Sequence, residues 1–109
     1  MGQVKYWLEV SPNAYGFGND YILCIKTEDA FKRFWLGQDA KVFRRILDID
    51  IRYAVEYYSR KAGSRNFEKV QKLIARDIIK AFLGLAEDEH LTDSKIRRLL
   101  DAESWELSV

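Results

Sequence analysis

Apolar and polar side chains alternate near the start of the chain, with Val4, Tyr6, Leu8 and Val10 on one side of an extended backbone and Lys5, Trp7 and Glu9 on the other. A period of two predicts a strand with one buried face over 4–10. Residues 11–20 then include Pro12, Asn13, Gly16, Gly18 and Asn19, all favoured in turns, and residues 21–25 are continuously apolar. The expected unit is an antiparallel hairpin with a long, glycine-containing loop. After it the period changes. Thr27 suits a helix N-cap, Glu28 and Asp29 suit the positive end of a helix dipole, Ala30, Phe31, Phe34 and Trp35 mark an apolar face, and Gly37 suits a stop. These signals predict a short helix over about 28–36.

Two periods compete across 39–63. Leu47, Ile49, Ile51, Tyr53, Val55 and Tyr57 alternate with Asp48, Asp50, Arg52, Ala54 and Glu56, a strand pattern in strand-favouring residues. Val42, Ile46, Ile49, Tyr53 and Tyr57 also form a helical stripe opposite Lys41, Arg45, Asp48, Arg52 and Glu56. The helix is preferred, because Asp39 can cap its start, Arg60 and Lys61 suit its end, and Gly63 can terminate it. A helix of that length would place Asp50 within its apolar stripe, in need of a hydrogen-bonding partner. A third strand at 47–57 is the alternative.

From Asn66 onward, Phe67, Val70, Leu73, Ile74, Ile78, Ala81 and Phe82 recur at helical spacing, and Gly84 with Leu85 forms a helix-ending pair. Thr92 can cap a shorter helix carrying Ile96, Leu99 and Leu100, followed by a tail with Trp105 and Leu107. The expected fold is α+β, with an N-terminal antiparallel β-hairpin packed against three to four α-helices in one domain over 1–109.

Composition supports a folded chain, since 48% of the 109 residues are hydrophobic and there is a single Pro. The apolar run 21–25 is far short of the about 20 residues needed to cross a bilayer. The alternating start of the chain lacks the basic-then-apolar order of a secretory signal. Cys24, the lone cysteine, lies in the apolar run and is expected to be buried and reduced. A cytoplasmic location without membrane attachment is the expectation.

A net charge of +1 conceals an uneven distribution. Residues 1–58 carry eight basic and eight acidic side chains, residues 59–85 seven and two, and residues 86–109 three and seven, giving net charges of 0, +5 and −4. The basic block is concentrated in Arg60, Lys61, Arg65, Lys69 and Lys72, which run from one predicted helix end through a turn into the next helix. Such a cluster can grip phosphates with strong salt dependence, or simply solvate a surface and neutralise the acidic tail.

Catalytic signals are missing. His90 is the one histidine and Cys24 the one cysteine, so no transition-metal ligand set can be assembled from them, and the acidic link 87–89 lacks the spacing of a calcium loop. The sequence contains no Walker-type glycine loop and no glycine-flanked serine elbow. Asp48 and Asp50 share a face only on a strand, where they would make metal-assisted chemistry conceivable. No cofactor is implied.

The residues Tyr15-Gly16-Phe17-Gly18, then Tyr21-Ile22-Leu23 and Glu28-Asp29-Ala30-Phe31, resemble the strand-to-helix part of an RNA-recognition motif over under a fifth of the chain. In that family a base-stacking aromatic follows the Gly-Phe-Gly, where this chain has Asn19, and a strand, helix and strand come before it, for which fourteen residues leave no room. The resemblance therefore assigns no family. Tyr15 and Phe17 are instead expected to contact a partner from a loop, or to cover one end of the hairpin.

The leading expectation is a small non-catalytic regulatory or inhibitory protein that binds a larger protein or nucleoprotein complex. Direct nucleic-acid binding through 60–72 is the alternative, and a homo-oligomeric structural or accessory subunit the third reading.

Overall fold

A computed structural model describes residues 3–13, 15 and 18–101. The strands β1 (Lys5–Pro12), β2 (Asn19–Lys26) and β3 (Phe31–Gln38) form an antiparallel sheet in the order β1-β2-β3. A π-helical turn, Lys41–Ile46, leads into α1 (Ile51–Ala62), α2 (Phe67–Leu83) and α3 (Asp93–Leu100). The fold is α+β, a three-stranded sheet with four helical segments. The tail carrying Trp105 and Leu107 lies outside the described residues.

The hairpin forms where alternation places it, with Tyr6 opposite Ile25, Leu8 opposite Leu23 and Val10 opposite Tyr21. Leu8, Tyr21, Leu23 and Ile25 join Leu36 of β3 in a core shared with α1, α2 and α3. α2 is the hub of this core. It packs against β1, α1 and α3, and its Ala75, Ile78 and Ile79 are fully buried.

Residues 28–36 do not form the expected helix. Thr27 does accept hydrogen bonds from backbone N–H groups ahead of it, at 3.3 Å from Asp29 and 3.1 Å from Ala30, as an N-cap would. Its own N–H, however, donates to the Ala30 carbonyl at 2.8 Å and closes a tight turn between β2 and β3. The same side-chain chemistry starts helices and makes turns. β3 then follows period two, burying Leu36 and half-burying Phe34 while Phe31 and Trp35 point to the other side. The register between β2 and β3 shifts beside Tyr21 and Ile22, a bulge that Gly37 accommodates at φ +95°. A side chain at Gly37 would be strained there, and its Cβ would lie 3.1 Å from Lys41 Cδ.

The continuous helix expected over 39–63 is broken in two, and 47–57 is not a strand. The Lys41–Ile46 segment ends in wide turns, with the Leu47 N–H donating to the Val42 carbonyl at 3.0 Å and the Ile49 N–H to the Phe43 carbonyl at 2.8 Å. Asp48 adopts the left-handed conformation at φ 54°, and Asp50 restarts the chain as the N-cap of α1. Asp50 is therefore exposed at a helix start instead of lying in an apolar stripe. Side-chain and backbone hydrogen bonds from Arg52 hold its carboxyl down at about 2. Asp39 does not cap the upstream segment; its Oδ1 accepts from the Asn19 N–H at 3.0 Å.

The remaining helix ends match their signals. Gly63 and Gly84 close α1 and α2 in the left-handed conformation. Asn66 caps α2 by accepting from the Lys69 N–H, and Thr92 caps α3 by accepting from that of Lys95. No helix among the described residues is long and apolar enough to cross a membrane.

Candidate functional site: the outer face of the sheet

The core lies on one face of the sheet, so period two sends alternate side chains to the other. Register aligns them in cross-strand rows: Lys5, Lys26 and Phe31; Trp7, Cys24 and Arg33; Glu9, Ile22 and Trp35. Trp35 is 66% exposed and Phe31 50%. The half-buried Trp7 leans on Phe31, with ring centroids 5.7 Å apart at 35°. Lys41 reaches back from the π-helical turn to hold its Nζ 5.8 Å from the Trp35 ring.

The middle row is sealed. Arg33 donates to the Glu9 carboxylate across β2, and Cys24 between them is fully buried. The Arg33 hydrogen bond pulls the Glu9 carboxyl below its ordinary range. Burial pushes the Cys24 thiol up, and its hydrogen bond to Glu9 pushes the same way. A covered, protonated thiol is a poor nucleophile. Alkylation of Cys24 by iodoacetamide is expected to be at least about a thousandfold slower in the folded protein than in concentrated guanidinium, because reaction awaits unfolding. Rapid native labelling, read by mass spectrometry, would contradict the sealed middle row.

The basic residues singled out along 60–72 divide between two surface depressions. Lys61 turns inward, 3.0 Å from Asp77 and 3.4 Å from Glu87, with its ammonium against the rings of Tyr57 and Tyr58. Arg60 pairs with Glu56 at 2.7 Å. Arg60 and Arg65 line a shallow depression around Gly63, whereas Lys61, Lys69 and Lys72 line a different groove with Tyr6 and Arg76. Arg76 is engaged by Asp77 at 3.2 Å. Tyr15 is 99% exposed, and its N–H donates to Asn13 Oδ1 at 2.8 Å. Phe17 lies outside the described residues.

A cleft of about 460 Å³ opens between α1, α2 and the 46–49 link. Its innermost charged groups are committed: Asp77 to Lys61 and Arg76, and the buried Lys80 to the Glu87 carbonyl at 2.7 Å. Among the described residues, no group of three or more His, Cys, Asp and Glu side chains is placed to hold a metal ion.

No protein-family model matches the chain, and no curated protein and no solved structure is significantly similar to it.

Trp7, Phe31, Trp35, Lys5, Lys26 and Lys41 are the residues that sequence reasoning missed as a group. A signal was present. Phe31, Arg33 and Trp35 alternate with Lys32 and Phe34 in the same way that Lys5, Trp7 and Glu9 alternate with Tyr6 and Leu8.

Proposed function

We propose that this is a non-catalytic regulatory or inhibitory protein that works by docking onto a larger macromolecule through the outer face of its sheet. One observation carries the reading: the core and its helices lie on one face, leaving Phe31 and Trp35 open to water beside Trp7 on the other. Large rings with few rotatable bonds supply much of the contact energy in binding surfaces, and aromatics and Arg are enriched there. Keeping such rings in water forgoes burial of about 25 cal/mol per Å², which contact with a partner would recover. The 60–72 segment is a weaker candidate for the same role, since Arg60 and Lys61 already have carboxylate partners.

The test compares affinity capture by the parent protein, by a Phe31→Ser/Trp35→Ser variant and by a Lys69→Gln control, with both protein and nucleic acid recovered and identified. A specific partner should be lost with the sheet variant and kept with the control, and its purified Kd should weaken at least about tenfold, as for removal of one interface anchor. Identical partners and affinities for all three proteins would refute the docking face.

A further inference from the structure

We infer that the outer face of the sheet binds single-stranded nucleic acid, with bases stacking on Trp7, Phe31 and Trp35 and phosphates held by Lys5, Lys26 and Lys41. The inference rests on the reading of this face as the docking surface and names the chemistry of its occupant.

The cations point to a polyanion. Lys5 and Lys26 stand directly opposite one another in the β1–β2 register, an arrangement that is repulsive unless an anion intervenes. Ion pairs join Glu9 to Arg33, Glu28 to Arg97 and Asp77 to Lys61 and Arg76, whereas Lys5, Lys26 and Lys41 have no carboxylate of the described residues within 4.0 Å. Of the acidic groups on this face, Glu9 is neutralised by Arg33, while Asp20, at the far end of β2, keeps its charge and accepts from the Asn13 side chain at 2.9 Å. Positive charge thus marks both ends of the aromatic surface, Lys5 and Lys26 beside Phe31 and Lys41 beside Trp35.

The rings select single strands. Phe31 and Trp35 are four residues apart on β3, about 13 Å along an extended strand, while Trp7 and Phe31 touch. They make two stacking stations with cations at either end, and a single strand offers planar rings and phosphates in alternation along its length. In a duplex the base faces are covered by their neighbours, so stacking on exposed rings is open to the unpaired bases of a single strand. Arg33 and Glu9 satisfy each other and are not free to read base edges. The binding is therefore tolerant of sequence, and DNA and RNA strands share the required chemistry.

The experiment measures anisotropy of labelled dT and U oligonucleotides of about 12 nucleotides, with a duplex of equal length, against salt concentration. Both single strands should bind better than the duplex, and three phosphate contacts should give a slope of log affinity on log salt of about −2. Phe31→Ser/Trp35→Ser, at exposed positions, should weaken binding by at least about tenfold. Lys5→Gln/Lys26→Gln should reduce the slope to about −0.7. Circular dichroism confirms that each variant is folded. DNA and RNA binding alike, or a preference for either, supports the inference. Lack of binding at low salt would overturn it, as would a duplex preference or binding that depends on Lys69 and Lys72 instead of the sheet residues. If oligonucleotides fail while a captured protein partner still depends on Phe31 and Trp35, the docking face stands and only its assignment to nucleic acid falls.

Discussion

Ile78→Ala is expected to lower the unfolding free energy by about 3–4 kcal/mol, within the usual range for emptying a closed aliphatic site. Ile78 is fully buried near the middle of α2, the helix that packs against β1, α1 and α3, so few neighbours can move into the space without disturbing a second contact. Folded domains of this size have only about 5–15 kcal/mol in total, so the variant should retain a folded state with a clearly reduced urea midpoint. An unchanged m-value would show that the loss lies in stability and not in the surface exposed on unfolding. Val55→Ala provides the contrast. Val55 is 73% exposed on α1, and its truncation should cost no more than about 0.5 kcal/mol. Similar costs for the two substitutions would mean that the core is not organised around α2.

The contrast between Ile78 and Val55 also explains how much could be read from the chain. Local rules located β1, α2 and α3 because their apolar residues fall on one face with one period, and β2 because it is a short apolar run bounded by turn residues; Asn66, Thr92 and Gly84 mark helix ends with side-chain or backbone chemistry that acts over a few residues. α1 fitted two periods for a physical reason. Its Ala54 and Tyr58 are buried, yet Ile51, Tyr53, Val55 and Tyr57 are apolar and exposed, so hydrophobicity along α1 does not report burial.

The same mismatch hid β3. A helix over 28–36 was attractive because Phe31, Phe34 and Trp35 can share a helical face, but that inference assumes all three are buried together. In the fold Phe34 turns to the core side while Phe31 and Trp35 face out. Exposed aromatics break the assumption on which pattern reading depends, and here they are also the candidate site. The break at 47–50 was hidden differently. Asp50 caps α1 through its Oδ1 to the Arg52 N–H at 2.9 Å, a signal visible in the sequence, but Asp39 offered an equally good cap eleven residues earlier. Choosing between them required knowing that Asp39 is engaged by the β2 start at Asn19.

Asp77→Ala should be destabilising by about 2–4 kcal/mol, because it leaves buried partners behind. Asp77 has only 13% of its side chain exposed; its Oδ2 lies 3.0 Å from Lys61 Nζ and its Oδ1 3.2 Å from Arg76 Nη2, and it also meets the hydroxyl of Tyr58, which is 2% exposed. Removing the carboxylate strips a partner from two cations and from a buried phenol, and Glu87 at 3.4 Å can answer only Lys61. The alkaline limb reports the phenol together with Lys61, whose pKa is also raised. Burial raises the Tyr58 pKa and the Asp77 charge raises it further, so the folded state holds this proton more tightly than the unfolded chain. The corresponding stability is complete below the ordinary tyrosine pKa of about 10 and is lost as pH rises beyond it. Asp77→Asn keeps an acceptor for Tyr58 but removes the charge, so it should cost less than Asp77→Ala and bring the Tyr58 pKa down. The check is the phenolate absorbance titration, with Tyr58→Phe identifying the step, beside urea unfolding at neutral pH. A Tyr58 titration unmoved in Asp77→Asn would show that burial alone sets the phenol and that Asp77 serves only its two cations.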